Sequence, residues 1–211
     1  MIENRNDVLI INTNPAKDVP SISKKIEIFN LVPESHSALK TVLPDFDFIN
    51  PTVNPVEFAS SLVETCKKHG ALGLSANQCG YNHRVFVMGS GEEYVAFFNP
   101  KILSRSEETS KMEEGCLSFM DLFLNIERPS SIEVEYQDFK GIIKTAKFAG
   151  LTARCYQHEL DHLNGIVYTT YLKPLAMQMA MKKRSKLADK KRKLHTQMIN
   201  KVKEKFNVKR F

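Results

Sequence analysis

The stretch Gln157-His158-Glu159-Leu160-Asp161-His162-Leu163-Asn164-Gly165 decides how the rest of the chain is read. Written as a helix, it puts His158 and His162 four residues apart on one face, where both imidazoles reach a single metal ion, with Glu159 beside them. Such an arrangement does hydrolytic chemistry. The alternative is a helix that carries two histidines by accident. With six His in 211 residues, H-E-x-x-H arises by chance in roughly one such chain in a hundred. The motif therefore needs a third ligand and a group to stabilise an oxyanion, and both must be sought elsewhere.

Upstream of that helix, Ser131 to Gln137 alternates, with Ile132, Val134 and Tyr136 on one side and Glu133 and Glu135 on the other, the pattern of a half-buried antiparallel strand. Asp138-Phe139-Lys140-Gly141 makes a turn and Ile142 to Phe148 pairs back. Shorter strand-like runs lie at Arg84 to Met88, Tyr94 to Phe98 and, beyond Asn99-Pro100, Lys101 to Leu103. Further upstream, Asn54-Pro55 opens a helix: Asn54 can cap, Pro55 takes the first helical position, and Phe58, Leu62 and Cys66 recur every four residues until Gly70. The order of helix, strands and histidine helix predicts an α+β fold, mainly antiparallel sheets around a central metal-binding helix. Pro33 and Pro44 break any long helix in Ile26 to Asn50, which reads as loop and short turns. Residues 1–25 are polar without periodicity and read as a weakly ordered arm.

Two segments between these elements have open readings. Gly70-Ala71-Leu72-Gly73-Leu74-Ser75-Ala76-Asn77-Gln78-Cys79-Gly80 is either a tight packed turn or a loop whose small residues let a ligand approach the backbone, with the Gln78 amide as donor. Met112-Glu113-Glu114-Gly115-Cys116-Leu117-Ser118 reads as an irregular stretch. Cys116 is either a small buried hydrophobe or the third ligand of a Cys-His-His set that keeps a position for water.

At 211 residues the chain is long enough for one domain with terminal extensions, and 42% apolar with 26% charged residues is ordinary for a soluble globular protein. No run of eighteen apolar residues exists, so no membrane span is expected. Val8 to Ile11 is too short for a signal-peptide core, and a cytoplasmic protein is expected. Four cysteines, Cys66, Cys79, Cys116 and Cys155, without a secretory signal favour free thiols or metal ligation over disulfides. The net charge of +6 hides an asymmetry: 14 of the 30 Lys and Arg, but only Asp189 and Glu204 of the 24 acidic residues, lie from Lys173 onward. An acidic body thus carries a basic tail, where Leu187, Leu194, Met198, Val202 and Phe206 recur at helical spacing between Lys and Arg. This basic amphipathic helix either packs on its own domain or meets an anionic partner.

Gly73-Leu74-Ser75-Ala76-Asn77-Gln78, Glu114-Gly115-Cys116-Leu117-Ser118 and Gln157-His158-Glu159-Leu160-Asp161-His162 together resemble, in order, the three signature motifs of peptide deformylases. Phe98-Asn99-Pro100 and Arg128-Pro129 are also similar to that family, over about Leu31 to Pro174. The chain departs from the usual pattern with Ala71 in place of Gly and Ser75 in place of Ala. The resemblance implies a catalytic domain over 26–174, a C-terminal helix or tail over 175–211, and hydrolytic removal of the N-formyl group from the initiator methionine of nascent polypeptides, releasing formate. It implies that Cys116, His158 and His162 hold one divalent metal, natively Fe(II), with Zn(II), Ni(II) or Co(II) as replacements, and that Glu159 is general base and then acid. Gln78 and the Leu117 N–H would stabilise the oxyanion. Glu114, Arg128 and Asp161 would support the ligands, and Leu72, Gly73, Met112, Leu151 and Cys155 would bind the methionyl substrate. Family members dock a basic C-terminal helix on the ribosome, so the ribosome is an expected partner; no membrane is, and a monomer is expected.

Two rivals remain on residues alone. Zinc endopeptidases share H-E-x-x-H, but take a third ligand downstream of the helix, and the only histidine after His162 is His195 in the basic tail. A ribosome- or RNA-binding protein with a structural metal would want a fourth protein ligand, and none lies near the motif.

Overall fold

The computed structural model describes residues 26–205, so the expected arm over 1–25 and Phe206 of the tail stripe lie outside the described residues. The chain begins there as loop with a 3-10 turn at Ser37–Lys40 and enters α1, Pro55–Lys68. The Asn54 side chain accepts from the Val56 and Glu57 N–H groups, Pro55 occupies the first turn, and Phe58, Leu62 and Cys66 are buried, so cap, proline and apolar spacing act as the sequence predicts.

Five strands form one antiparallel sheet: β1 Gly73–Ser75, β2 Val85–Ser90, β3 Glu93–Arg105, β6 Ser131–Gln137 and β7 Ile143–Ala149, in the order β1-β2-β3-β6-β7. Between β3 and β6 the chain makes β4, Thr109–Cys116, and β5, Phe119–Pro129, which pair only with each other. Both faces of the large sheet are covered. Val85 and Val87 of β2 join Phe58, Leu62 and Leu74 in a cluster under α1. Phe86 and Met88, pointing the other way, join Tyr156, Leu160 and Leu163 of α2, Gly150–Leu163.

Two expectations are corrected. The runs Tyr94–Phe98 and Lys101–Leu103 belong to one strand, β3, which continues through Asn99 with φ of 48° and a register shift between Phe98 and Lys101. Asn99 tolerates the left-handed conformation, and its side chain binds both the N–H and the carbonyl of Phe46, so the irregularity is paid back with hydrogen bonds. The stretch Met112 to Ser118, read as irregular, is mostly strand β4 and the turn of the hairpin. Its inward residues include a buried Glu114 where a strand pattern expects an apolar side chain, which hides the alternation.

The hairpin has its own core, Leu122, Leu124 and Ile126 packed with Leu39, Val167 and Tyr168. Against it lies α3, Pro174–Lys205. Met177 and Ala180 pack on that cluster, Arg184 donates to the Met120 carbonyl and binds Glu34, and Lys191 binds Asp121. The docked side of α3 thus runs through Met177, Ala180, Arg184 and Lys191 in its first half. Of the stripe read from the sequence, Leu194, Met198 and Val202 are more than half exposed. No helix among the described residues is long and apolar enough to cross a membrane.

Candidate metal centre

α2 lies between the two sheets, and its two faces do different work. Ala153, Tyr156, Leu160 and Leu163 belong to the apolar cluster against the large sheet. Arg154, Gln157, His158 and Asp161 reach towards the hairpin. Gly165 closes the helix at φ of 68°, where a Cβ would lie 2.7 Å from the Lys40 carbonyl oxygen, so only glycine lets the N-terminal loop pass so close.

The hairpin turn brings Cys116 to this helix. Sγ of Cys116 and the imidazole nitrogens of His158 and His162 lie within 4.8 Å of one another, with Sγ 3.2 Å from Nε2 of His162. Nδ1 of His158 is engaged by Glu114 Oε2 at 2.9 Å, which leaves Nε2 as its ligand nitrogen. One thiol and two imidazoles whose ligand atoms lie this close together fit a single divalent transition metal. Burial holds His162 well below the ordinary histidine range, so this imidazole stays neutral and able to bind a cation.

Glu114 is the hub of the support. It is almost fully buried and accepts from Nε and a terminal nitrogen of Arg128 at 2.7 and 3.0 Å, and from Arg154 at 3.0 Å, besides its contact with His158. Burial by itself would raise its carboxyl; the hydrogen bonds from His158 and Arg128 and the Arg128 charge outweigh it and hold the group down to about 2. Arg128 also binds Asp161 at 2.6 Å, and Tyr171 donates to the same carboxylate oxygen. Two buried guanidiniums against two carboxylates make a neutral cluster, the condition under which buried charges are tolerated.

On the other side stands β1 with the 3-10 turn Ala76–Cys79 that follows it. Gln78 is nearly fully buried. Its carbonyl accepts from the Ser75 N–H at 2.9 Å, which turns its NH2 towards Cys116 Sγ at 3.4 Å and Ser118 Oγ at 3.1 Å. Asn77 donates to the His162 carbonyl at 2.6 Å and to the Ala38 carbonyl, tying this turn to the end of α2. Leu117 occupies the hairpin turn directly after Cys116, half-buried. Glu159 is buried next to Gly73 and Ser75, and burial raises its carboxyl above the ordinary range.

The structure therefore brings together Cys116, His158, His162, Glu159, Gln78, Glu114, Arg128 and Asp161. Of the residues expected to bind the methionyl substrate, Gly73 lies against both Glu159 and Cys155. Met112 and Cys155 are half-buried, and Leu72 and Leu151 are exposed apolar residues. Sequence reasoning missed Arg154 and the anchoring role of Asn77. Arg154 had a signal: it sits four residues before His158 and so on the same helical face. Asn77 had none, because its partners are distant in sequence.

A donor set of this kind, with a buried carboxylate beside it on a helix held between antiparallel sheets, is that of a single-metal hydrolase. Comparison with known proteins narrows the class. The family model for polypeptide deformylase matches residues 28–178. The peptide deformylase of Rhizobium meliloti is 36% identical over 160 residues, 70% of this chain and 91% of that protein. The crystal structure of peptide deformylase from Thermotoga maritima matches with a TM-score of 0.66 at 34% identity, covering 70% of this chain and 99% of that one. A Met-Ala-Ser-bound peptide deformylase from Acinetobacter baumannii matches at 0.66 and 27%, covering 70% and 100%. The chain belongs to the peptide deformylase family, and it is a metal-dependent hydrolase that removes the N-formyl group from nascent peptides.

Proposed function

We propose that Cys116, His158 and His162 hold the metal and that Glu159 moves the protons of the reaction. The observation that carries this reading is the convergence of one thiol and two imidazoles within 4.8 Å beside a buried carboxylate. Bound there, a divalent ion supplies an acidified water and a positive charge for the formyl oxygen. Glu159 accepts the water's proton as the water oxygen bonds to the formyl carbon. It then delivers that proton to the amide nitrogen as the C–N bond breaks, leaving formate and a free α-amine. A carboxyl raised by burial suits both halves of this task. The Gln78 NH2, already directed at the Cys116 side of the site, and the Leu117 N–H stabilise the negative oxygen of the tetrahedral stage. Glu114, Arg128 and Asp161 hold the ligand loop and the His158 ring in place.

β1 is an edge strand of the sheet, so an extended peptide can add alongside Gly73 in the manner of a further strand. Leu72, Met112, Leu151 and Cys155 then receive the methionine side chain, for which apolar burial is the main gain; the Met-Ala-Ser ligand of the Acinetobacter baumannii relative is consistent with such a product. We further propose Fe(II) as the native ion, with Zn(II), Ni(II) or Co(II) able to replace it, a cytoplasmic monomer, a catalytic unit over 26–174, and ribosome binding through the basic segment 175–211. The experiment is anaerobic purification with metal analysis, followed by formate release from a formyl-Met-Ala peptide. One metal per chain, lost in a Cys116→Ala variant together with turnover, is expected. Full metal occupancy and turnover in that variant would overturn the ligand assignment.

A further inference from the structure

Glu159 is gripped by β1 as well as carried by α2. Gly73 and Ser75 are two residues apart on a strand and point to one face, the face against this carboxylate. A Cβ at Gly73 would lie 2.5 Å from Glu159 Oε1 and 2.8 Å from Cγ, so glycine is what leaves the side chain its space. Ser75 is fully buried and donates its hydroxyl to Oε2 at 2.5 Å; its Oγ is also 3.3 Å from the Glu159 carbonyl. The two carboxylate oxygens are therefore unequal. Oε2 holds the serine proton, whereas Oε1 has no protein donor among the described residues and lies at the Gly73 gap.

We infer that Ser75 is a positioning residue for the hydrolysis: its hydroxyl caps Oε2, fixes the rotation of the carboxylate, and leaves Oε1 as the oxygen that exchanges protons with water and leaving amine. The inference rests on Glu159 being the general base. The terminal torsion of a glutamate is soft, so a side chain tethered only at Cα spreads its oxygens over many orientations, and proton transfer demands hydrogen-bond reach. A charge-assisted bond from a buried hydroxyl removes that freedom. A serine has a single proton to give, so it occupies one oxygen only. That bond also survives the catalytic cycle: when Oε1 carries the proton, Oε2 is still an acceptor, and the same contact orients the base and the acid.

The test compares Ser75→Ala, Ser75→Thr and Glu159→Gln in the metal-loaded full chain on a formyl-Met-Ala peptide, with metal content and thermal midpoint measured for each. Ser75→Ala is expected to lower kcat about tenfold, the scale of one hydrogen bond to a charged group, with KM within about twofold of the parent and metal content unchanged. Ser75→Thr keeps the hydroxyl and is expected to recover most of kcat. In the Glu159→Gln background, Ser75→Ala is expected to leave the residual rate unchanged, because no base remains to be oriented; this arm decides if the threonine methyl does not fit the buried site. An unchanged kcat in Ser75→Ala, a folded Ser75→Thr without recovery, or an equal loss in the Glu159→Gln background each overturns the inference. Full activity of Glu159→Gln itself would instead overturn the base assignment beneath it.

Discussion

α2 and α3 invert the usual distribution of polar and apolar residues in opposite senses. α2 buries Arg154, Gln157, His158, Glu159 and His162, while α3 leaves Leu194, Met198, Ile199 and Val202 exposed. In α2 most of the inversion is satisfied from within the chain: Glu114 engages Arg154 and His158, Ser75 engages Glu159, and the Pro129 carbonyl accepts from Gln157. Nδ1 of His162 has no partner among the described residues, and the His158 and His162 rings converge with Cys116. In the second half of α3 these apolar residues stay exposed, and they are interleaved with lysine and arginine. A buried polar group is costly unless it is hydrogen-bonded, and an exposed apolar face with a basic flank is the surface proposed above for an anionic partner. On that proposal the two helices divide the work between chemistry and contact.

The largest effect expected on this contrast comes from Glu159→Gln. It should lower kcat by at least 10²- to 10⁴-fold, the range of general acid–base contributions, while metal analysis shows unchanged occupancy. Full activity would mean that the carboxylate is buried for architecture alone. Next is Glu114→Ala, which leaves Arg154 without a carboxylate partner and Arg128 with Asp161 alone. Urea unfolding should show a loss of about 3–5 kcal/mol, and a loss below 1 kcal/mol would show that the cluster does not organise the site.

Arg154→Ala should cost about 1–3 kcal/mol, because the Ile126 and Ser110 carbonyls it serves lose a buried donor. Truncation after Lys191 keeps the docked half of α3 and should change hydrolysis of a short formyl peptide less than about twofold. Ribosome sedimentation should fall and lose its salt dependence, since cations are removed; undiminished binding would place the contact elsewhere. Smallest of all, Met198→Ser should alter stability by less than about 0.5 kcal/mol, the scale of an exposed substitution, and a larger loss would mean that this face is covered in the free protein.

Legibility in the sequence followed the range of the interactions. α1, with Asn54, Pro55 and the spacing of Phe58, Leu62 and Cys66, was readable because caps and helical periodicity act within a few residues. β6 and β7 were readable because Ile132, Val134 and their neighbours alternate around an obvious turn. The β4–β5 hairpin was not, since Glu114 and Arg128 occupy inward positions that the alternation rule reserves for apolar side chains, and Phe123 on the outside is half exposed. β3 looked like two strands because Asn99-Pro100 reads as a break, whereas Phe46 supplies the backbone partners that carry the strand through it.

By itself the sequence determined the α+β class and the family, and it named the metal-centre candidates, because H-E-x-x-H at helical spacing and the two accompanying motifs are dictated by the chemistry they perform. Only the tertiary structure decided which groups hold those residues in place. Ser75 meets Glu159 across 84 residues, Arg154 meets Glu114 across 40, and Asn77 meets His162 across 85. Such pairings follow from how β1, the hairpin and α2 pack, and no local periodicity encodes them. The same holds for α3: its amphipathic spacing is written in the chain, but which residues dock and which stay open was set by where the hairpin ends.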